Sequence, residues 1–257
     1  MRAADTARAS RILQGAYELG TPVPPLSATF PGLTVDQAYD IQLDWVASQV
    51  QGGRAVRGHK VGLTSEAMQR QLGVDQPDFG HLLDGMIFDE NETVPTTGLL
   101  QPRIEPELAF VLGEDLAGPG VTVESAANAV EYVFPALEVI DSRIADWRIT
   151  IADNASSAAV VLGASGCRLS DVDLEQATVV LTRNGETVGT GLTGAVMGNP
   201  LHALAWLANT LGRRGQTLRA GHVVLPGSCT AAVPIGAGDV VTASFGSGGA
   251  VTAHIGT

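Results

Sequence analysis

Beyond about residue 58 the sequence consists mainly of short β-type runs separated by Gly, Pro, Asn and Asp, and this pattern limits the possible folds most. Asn184-Gly185 joins two runs and is typical of a type I′ turn, which predicts a hairpin. Many strands with few helices between them indicate an α+β fold. The clearest runs are 108–112, 136–140, 158–162, 178–183, 223–225 and 240–245.

The first 55 residues have a helical pattern instead. Residues 7–19 are predicted to form an amphipathic helix, and several prolines separate it from the next one. Thr34 followed by Gln37 is a capping-box sequence, which predicts a second helix that ends at Gly52-Gly53. We therefore predict a helical N-terminal region over residues 1–57 and a β-rich catalytic domain over residues 58–257.

One further helix is predicted within the β-rich part. Asn199 is a typical N-cap residue, Pro200 fits the first turn, and apolar residues follow at helical spacing. Gly212 is predicted to end this helix.

Composition and charge exclude several classes of function. The 257 residues are 45% hydrophobic and 16% charged, which is typical of a folded protein. The net charge of −12 argues against nucleic acid as a partner, and no apolar stretch is long enough to span a membrane. Cys167 and Cys229 lack the spacing of a zinc site or a disulfide framework, so we predict reduced thiols in a cytoplasmic protein.

Three glutamates stand out because they interrupt apolar runs. Glu105 and Glu107 are two residues apart, so on a strand their carboxylates share one face. Glu138 lies between apolar neighbours, where an unpaired carboxylate is costly to bury. One shared cation would stabilise all three, and an all-carboxylate site favours Mg²⁺ or Mn²⁺. The alternative is the solvated face of an edge strand, where Pro106 is also tolerated.

Other polar residues are candidates for binding and proton transfer. Lys60 lies between two glycines and could hold a carboxylate or exchange a proton; the alternative is an exposed loop lysine. Asp78 could orient water or only cap a turn. Ser157 and Ser228 lie in small polar loops that could bind an oxyanion, although such loops are often only turns. His59 is predicted to be structural.

Several segments of the chain, and the order in which they occur, resemble the 2-keto-4-pentenoate hydratase / 4-oxalocrotonate decarboxylase family, part of the fumarylacetoacetase superfamily. The resemblance covers most of the chain beyond residue 30. The matching segments are GHKVGLT (58–64), GVDQPDFG (73–80), QPRIEPELAFVL (101–112), PALEVIDSRIADW (135–147), ADNASS (152–157), GNPLHALAWLAN (198–209) and LPGSCTAAVP (225–234).

The resemblance implies a mixed β-roll core with a helical N-terminal part. It also implies a Mg²⁺ or Mn²⁺ site at Glu105, Glu107 and Glu138, with Lys60 at the position of the family's active-site lysine. Members of the family commonly form pentamers or decamers. A paralogous decarboxylase or a downstream aldolase is a further implied partner.

Within the family, QPRIE and Asp78 resemble the hydratases rather than the decarboxylases. The expected reaction is hydration of 2-hydroxypenta-2,4-dienoate or a longer 2-hydroxydienoate in aromatic or steroid-ring catabolism. The alternatives are decarboxylation of 2-oxo-3-hexenedioate, hydrolysis of a C–C bond in an acylpyruvate, and a weakly active partner subunit. The sequence departs from the family between Trp147 and Ala152, where the connection is unusually short.

Overall fold

The computed structural model describes residues 2–65, 69–70, 74–144 and 147–257, with only the backbone of 147–149. Three helices form the N-terminal part: α1 (Ala3–Leu19), α2 (Leu26–Thr29) and α3 (Val35–Gln51). The predicted capping box is present, because the N–H of Gln37 donates to Thr34 Oγ1 at 3.3 Å and Thr34 N–H donates back to Gln37 Oε1 at 3.1 Å. Helix α1 begins four residues before its predicted start.

The strands form two sheets, and the larger one carries the candidate site. Its order is β2-β1-β10-β5-β6-β7-β3, with β11 beside one end of β5. Both parallel and antiparallel pairs occur in it, which confirms the predicted α+β fold with a mixed β-core. Its strands are β1 (Val56–Gly62), β2 (Asp78–Leu83), β3 (Ile87–Asp89), β5 (Arg103–Leu112), β6 (Val130–Ile140), β7 (Ser157–Leu162), β10 (Val223–Leu225) and β11 (Val233–Pro234).

The smaller sheet has the order β4-β13-β12-β8-β9. Asn184 and Gly185 have φ angles of 53° and 83° between β8 and β9, so the predicted type I′ hairpin is present. Its strands are β4 (Thr93–Pro95), β8 (Thr178–Arg183), β9 (Glu186–Leu192), β12 (Val240–Ser244) and β13 (Ala250–Gly256).

The described portion of the β-rich part includes the helices α4 (Val123–Ala129) and α5 (Pro200–Arg213). Asn199 caps α5 as predicted, accepting a hydrogen bond from the N–H of Leu201 at 3.0 Å. The prediction that Gly212 ends the helix is wrong, because α5 continues to Arg213. Gly212 instead allows close packing, since a β-carbon there would collide with the backbone of Gly118.

Strand β5 is an interior strand, which corrects the edge-strand interpretation of Pro106. β6 runs along one side of it, and β10 and β11 pair with its two ends on the other side. The carbonyl of Pro106 accepts a hydrogen bond from the N–H of Cys229, a residue between β10 and β11. Since the N–H and C=O of a strand residue point the same way, the missing N–H of Pro106 faces this gap and costs no ladder bond.

Both faces of the larger sheet are buried. One face packs into the main apolar core through residues such as Phe79, Phe110 and Leu137. The opposite face carries a second apolar cluster that includes Trp45 and Leu225, and the polar site lies on this face. None of the described helices is long and apolar enough to cross a membrane. Cys167 and Cys229 are both free thiols.

Candidate active site

Three carboxylates converge on one face of the larger sheet. Glu105 of β5 lies directly opposite Glu138 of β6, and Glu107 follows two residues along β5 on the same face. One oxygen from each of the three lies within 4.8 Å of the others. Glu138 is 0% exposed and Glu107 is 1% exposed, so the alternative of a solvated edge strand does not apply.

Burial and mutual repulsion disfavour the charge on these groups. Burial, followed by repulsion from Glu138, raises the pKa of Glu105 to about 7 and that of Glu107 well above its usual value. Burial also raises the pKa of Glu138, and neither of its carboxylate oxygens has a hydrogen-bond partner among the described residues. A hard divalent cation fits these three carboxylates, because it would neutralise their negative charges and be coordinated by the oxygens that have no hydrogen-bond partner among the described residues.

Lys60 is the cation that approaches the three acids most directly. It lies on the interior strand β1 and is 5% exposed, so it is not an exposed loop lysine. Its Nζ is 3.7 Å from Glu138 Oε2. Burial opposes its charge, but Glu138, Asp78 and the other two glutamates outweigh burial and raise the pKa of Lys60 above its usual value. Lys60 is therefore a charged ammonium beside the acids.

Asp78 reaches the same place from the edge strand β2. It pairs with Gly62 of β1 and is 5% exposed. A β-carbon on Gly62 would collide with Asp78 Oδ1 and would lie 3.1 Å from Lys60 Nζ, so the glycine makes room for both groups. Burial raises the pKa of Asp78, with Lys60 opposing it, and Oδ1 makes no hydrogen bond to the part of the chain that is described.

Ser157 enters the site because of an irregularity in the strand pairing. The register between β6 and β7 shifts between Val139 and Ile140, so that Ile140 lies opposite Ser157. Ser157 therefore shares the face of Ile140 and Glu138. Its hydroxyl is near enough to Glu138 to lower the pKa of that carboxyl, but it forms no hydrogen bond of standard geometry to any described residue, although Ser157 is only 1% exposed.

Ser228 occupies a different position, at the wall of an adjoining cavity. Its Oγ donates to the carbonyl of Thr230 at 2.8 Å and accepts the N–H of Thr230 at 3.3 Å. The preceding Gly227 donates its N–H to Glu107 Oε2 at 2.7 Å. This loop thus orients a carboxylate of the site and forms a local turn, and its serine hydroxyl is already engaged.

A cavity of about 410 Å³ gives access to the carboxylates from the side of Glu105. It is large enough for a small organic acid. Arg103 lines it at the start of β5 and brings a positive charge into an otherwise acidic protein. The lining residues are Val61, Gly62, Leu63, Thr64, Ser65, Arg103, Glu105, Ile140, Ser228, Thr230, Ala231 and Ala232.

His59 faces away from this site. Its ring lies 4.7 Å from that of His81 and 5.7 Å from that of His222, centroid to centroid. Burial lowers the pKa of His59 well below its usual value and that of His81 to about 4. These rings are neutral packing groups, in agreement with the structural role expected for His59.

Sequence reasoning did not single out Gly62 or Arg143 as site residues, and it could not place the segment around Trp147. Gly62 was only one of the two glycines around Lys60. Arg143, inside the segment DSRIADW, is 2% exposed and forms ion pairs with Asp141 and Asp153. Three acids and two arginines within residues 141–153 were the available signal. Gly73, Ala145 and Asp146 of the matching segments lie outside the described residues.

Comparison with known proteins agrees with this geometry. Residues 53–256 match the family model "Fumarylacetoacetate (FAA) hydrolase C-terminal". The chain is 45% identical to 2-keto-4-pentenoate hydratase of Paraburkholderia xenovorans (strain LB400) over 95% of this chain and 92% of the relative. It is also 45% identical to 2-hydroxyhexa-2,4-dienoate hydratase of Comamonas testosteroni, with 84% of each chain covered.

A solved structure extends the comparison to three dimensions. The 4-oxalocrotonate decarboxylase from Pseudomonas putida G7, complexed with calcium and acetate, superimposes with a TM-score of 0.95 at 35% identity. The match covers 99% of this chain and 98% of the decarboxylase chain. The chain therefore belongs to the 2-keto-4-pentenoate hydratase / 4-oxalocrotonate decarboxylase family of fumarylacetoacetate hydrolase-like proteins.

Proposed function

We propose that this protein is a metal-dependent hydro-lyase that hydrates 2-hydroxypenta-2,4-dienoate, or a longer 2-hydroxydienoate, to a 4-hydroxy-2-oxo acid. The observation that carries the proposal is the buried cluster of Glu105, Glu107 and Glu138 beside Lys60 and Asp78. Relatives named as hydratases of such dienoates, 45% identical over most of the chain, support the choice of reaction. We propose a role in the breakdown of aromatic ring-cleavage products, within the cytoplasm.

The three glutamates would hold Mg²⁺ or Mn²⁺. The decarboxylase neighbour has been solved with magnesium and adipate, which supports a divalent cation at the equivalent place. Such a cation supplies Lewis acidity that favours negative charge on the substrate's 2-oxygen. In this proposal the cluster sets the position of the 2-oxo acid end, and the rest of the substrate extends into the adjoining cavity.

Lys60 and Asp78 would perform the proton transfers. The dienol loses its 2-hydroxyl proton and gains one at C5, which gives a 2-oxo-3-enoate with an electrophilic C4. Water then adds across C3 and C4, with hydroxide bonding to C4 and a proton to C3. Asp78, whose pKa is raised by burial, would orient this water, and Lys60 would hold the carboxylate or relay a proton. Ser157 would bind a substrate oxygen through its hydroxyl, which has no hydrogen-bond partner among the described residues. Ser228 lines the cavity and would bind a substrate oxygen only by releasing its hydrogen bond to the carbonyl of Thr230.

The test is loss of the dienoate absorbance on addition of the protein with Mg²⁺, with identification of the 4-hydroxy-2-oxo product. No change in absorbance with any 2-hydroxydienoate tried would reject the proposal. The fold match to a decarboxylase keeps vinylogous decarboxylation of 2-oxo-3-hexenedioate as a second candidate. Release of CO₂ from that substrate, without hydration of the dienoate, would select the second candidate instead.

A further inference from the structure

The last three residues of the segment Trp147–Ser156, directly before β7, have an unfavourable backbone conformation. Asn154, Ala155 and Ser156 have φ angles of 50°, 48° and 64°, which place three successive residues in the left-handed region. Residues with a β-carbon avoid this region, and Asn tolerates it best. Such a turn persists only where surrounding contacts enforce it. The turn leads directly into the bulge that brings Ser157 onto the face of Glu138.

Arg143 contacts the residue immediately before this turn. Its backbone N–H donates to Asp153 Oδ2 at 2.6 Å, and its Nε donates to Asp153 Oδ1 at 3.0 Å. Both side chains are buried, so the pair is shielded from solvent. Two charge-assisted bonds to one carboxylate fix direction as well as distance.

Arg143 also acts on the residue at the end of the turn, through Asp141. Its Nη1 lies 3.3 Å from Asp141 Oδ2, and its Nη2 donates to the Asp141 carbonyl at 2.9 Å. The backbone N–H of Asp141 in turn donates to the Ser156 carbonyl at 2.9 Å. The same guanidinium therefore holds both ends of the left-handed stretch.

The N-terminal helix α1 completes the arrangement. Tyr17 Oη accepts a hydrogen bond from Arg143 Nη2 at 3.1 Å, and the guanidinium carbon of Arg143 lies 3.9 Å from the centroid of the Tyr17 ring. A cavity of about 310 Å³ beside it is lined by both Tyr17 and Ser157. The helical part thus contacts the arginine that holds the turn before Ser157.

We propose that Arg143 and Asp153 are positioning residues that hold the turn 154–156 so that the Ser157 hydroxyl faces Glu138 and the bound 2-oxo acid. The guanidinium does not touch the substrate; it acts through the backbone of the turn. The buried Ser157 Oγ, which makes no hydrogen bond to a described residue, is the group whose position is set. The proposal rests on the proposed function for the identity of the ligand, but the placement of the turn is independent of it.

The kinetic test uses a double-mutant cycle between Arg143→Lys and Ser157→Ala. A lysine side chain keeps the positive charge but cannot make the several hydrogen bonds of the planar guanidinium. We therefore expect kcat for dienoate hydration to fall about 10- to 100-fold with a smaller change in KM. In the Ser157→Ala background the same change should lower kcat by no more than about 3-fold, because the hydroxyl that Arg143 positions is then absent. Equal effects in both backgrounds would overturn the proposal.

Leu211→Ala is the control for a general loss of stability. Leu211 is fully buried in α5, away from the turn, so its truncation should lower the melting temperature while kcat stays at the wild-type value. If Leu211→Ala lowered kcat as strongly as Arg143→Lys, the loss in the latter would reflect stability and the positioning role would be rejected.

Hydrogen exchange of the metal-free protein tests the turn without relying on activity. We expect amides of residues 150–158 to exchange at least about 10-fold faster in Arg143→Lys and Asp153→Asn than in wild type, with no such change in Leu211→Ala. Asp153→Asn keeps the shape of the side chain and serves if Arg143→Lys does not fold. Unchanged exchange in both Arg143→Lys and Asp153→Asn would overturn the proposal. Faster exchange in these variants of a protein without hydratase activity would reject only the proposed function.

Discussion

Glu105 and Glu138 lie directly opposite each other on neighbouring antiparallel strands, with both side chains on one face of the sheet. Directly opposed like charges destabilise a strand pair. Burial makes the effect larger, since the two carboxylates have little water to screen them. The pair therefore requires either bound protons or a bound cation to reduce the repulsion between its carboxylates.

Stabilisation by Mg²⁺ should increase with pH. The pKa of Glu105 is raised to about 7, so without a cation the folded protein retains a proton that the unfolded chain has released. This contribution to stability is present at low pH and is lost as the pH rises through about 7. A cation replaces the proton, so the gain in melting temperature from Mg²⁺ over EDTA should be larger at about pH 8 than at about pH 5.5. A gain that is equal at both values, or larger in acid, would contradict the prediction.

Glu107→Gln should abolish metal-dependent turnover and leave the fold intact. The change removes one of three proposed ligands, so we expect Mg²⁺ affinity and kcat to fall by about 100-fold or more, while the metal-free protein keeps its melting temperature or gains a few degrees. Calorimetric titration with Mg²⁺ and circular dichroism measure the two effects. Glu114→Gln, at an exposed position just beyond β5, is the matched control and should change neither.

Lys60→Met should separate metal binding from turnover. The ammonium lies 3.7 Å from Glu138 and repels a cation bound to the same carboxylate. We therefore expect Mg²⁺ affinity to stay the same or increase, while kcat falls by about 10²- to 10⁴-fold through loss of the proton-transfer group. Parallel loss of both properties would show that Lys60 supports the metal site instead of the chemistry.

Gly62→Ala should lower activity without loss of the fold. The added methyl would collide with Asp78 Oδ1, so the Asp78 carboxylate must shift from its present position in the site. We expect kcat to fall about 10-fold or more, since small displacements of reacting groups have large effects. Gly236→Ala is the control, because a β-carbon there meets nothing within 4 Å. Steady-state kinetics of the two variants side by side provide the measurement, and equal kcat values would refute the steric argument.

Local patterns predicted much of the fold. The capping box at Thr34, the N-cap at Asn199 and the Asn184-Gly185 turn depend on neighbouring residues, and all three are present. Gly212 was misinterpreted because a glycine can either end a helix or allow another backbone segment to pack closely against it. Only the packing against Gly118 distinguishes these two roles. Strand order could not be derived from the sequence, so Pro106 was placed on an edge.

The carboxylates of the candidate site were predictable because acids within apolar runs are unusual wherever they occur. The convergence of Lys60 and Asp78 on them depends on the pairing of β1 with β2 and β10, which no local pattern specifies. The roles proposed for these side chains stay predictions until the variants are measured. The role of Arg143 was missed because its contacts with Asp141 and Asp153 act through the turn 154–156, whose left-handed conformation the sequence does not specify.

The bulge between β6 and β7 makes strand register as important as residue identity near the site. Ser157 lies opposite Ile140 only because Ala158 is an extra residue in the ladder. If the same residues paired without a bulge, Ala158 would lie opposite Ile140 and the serine would turn to the other side of the sheet. A change that straightens this strand would thus remove the hydroxyl from the site while leaving the serine in the chain. Deletion of Ala158, by contrast, would bring Ser157 next to Ala159 and keep it opposite Ile140, on the face of Glu138.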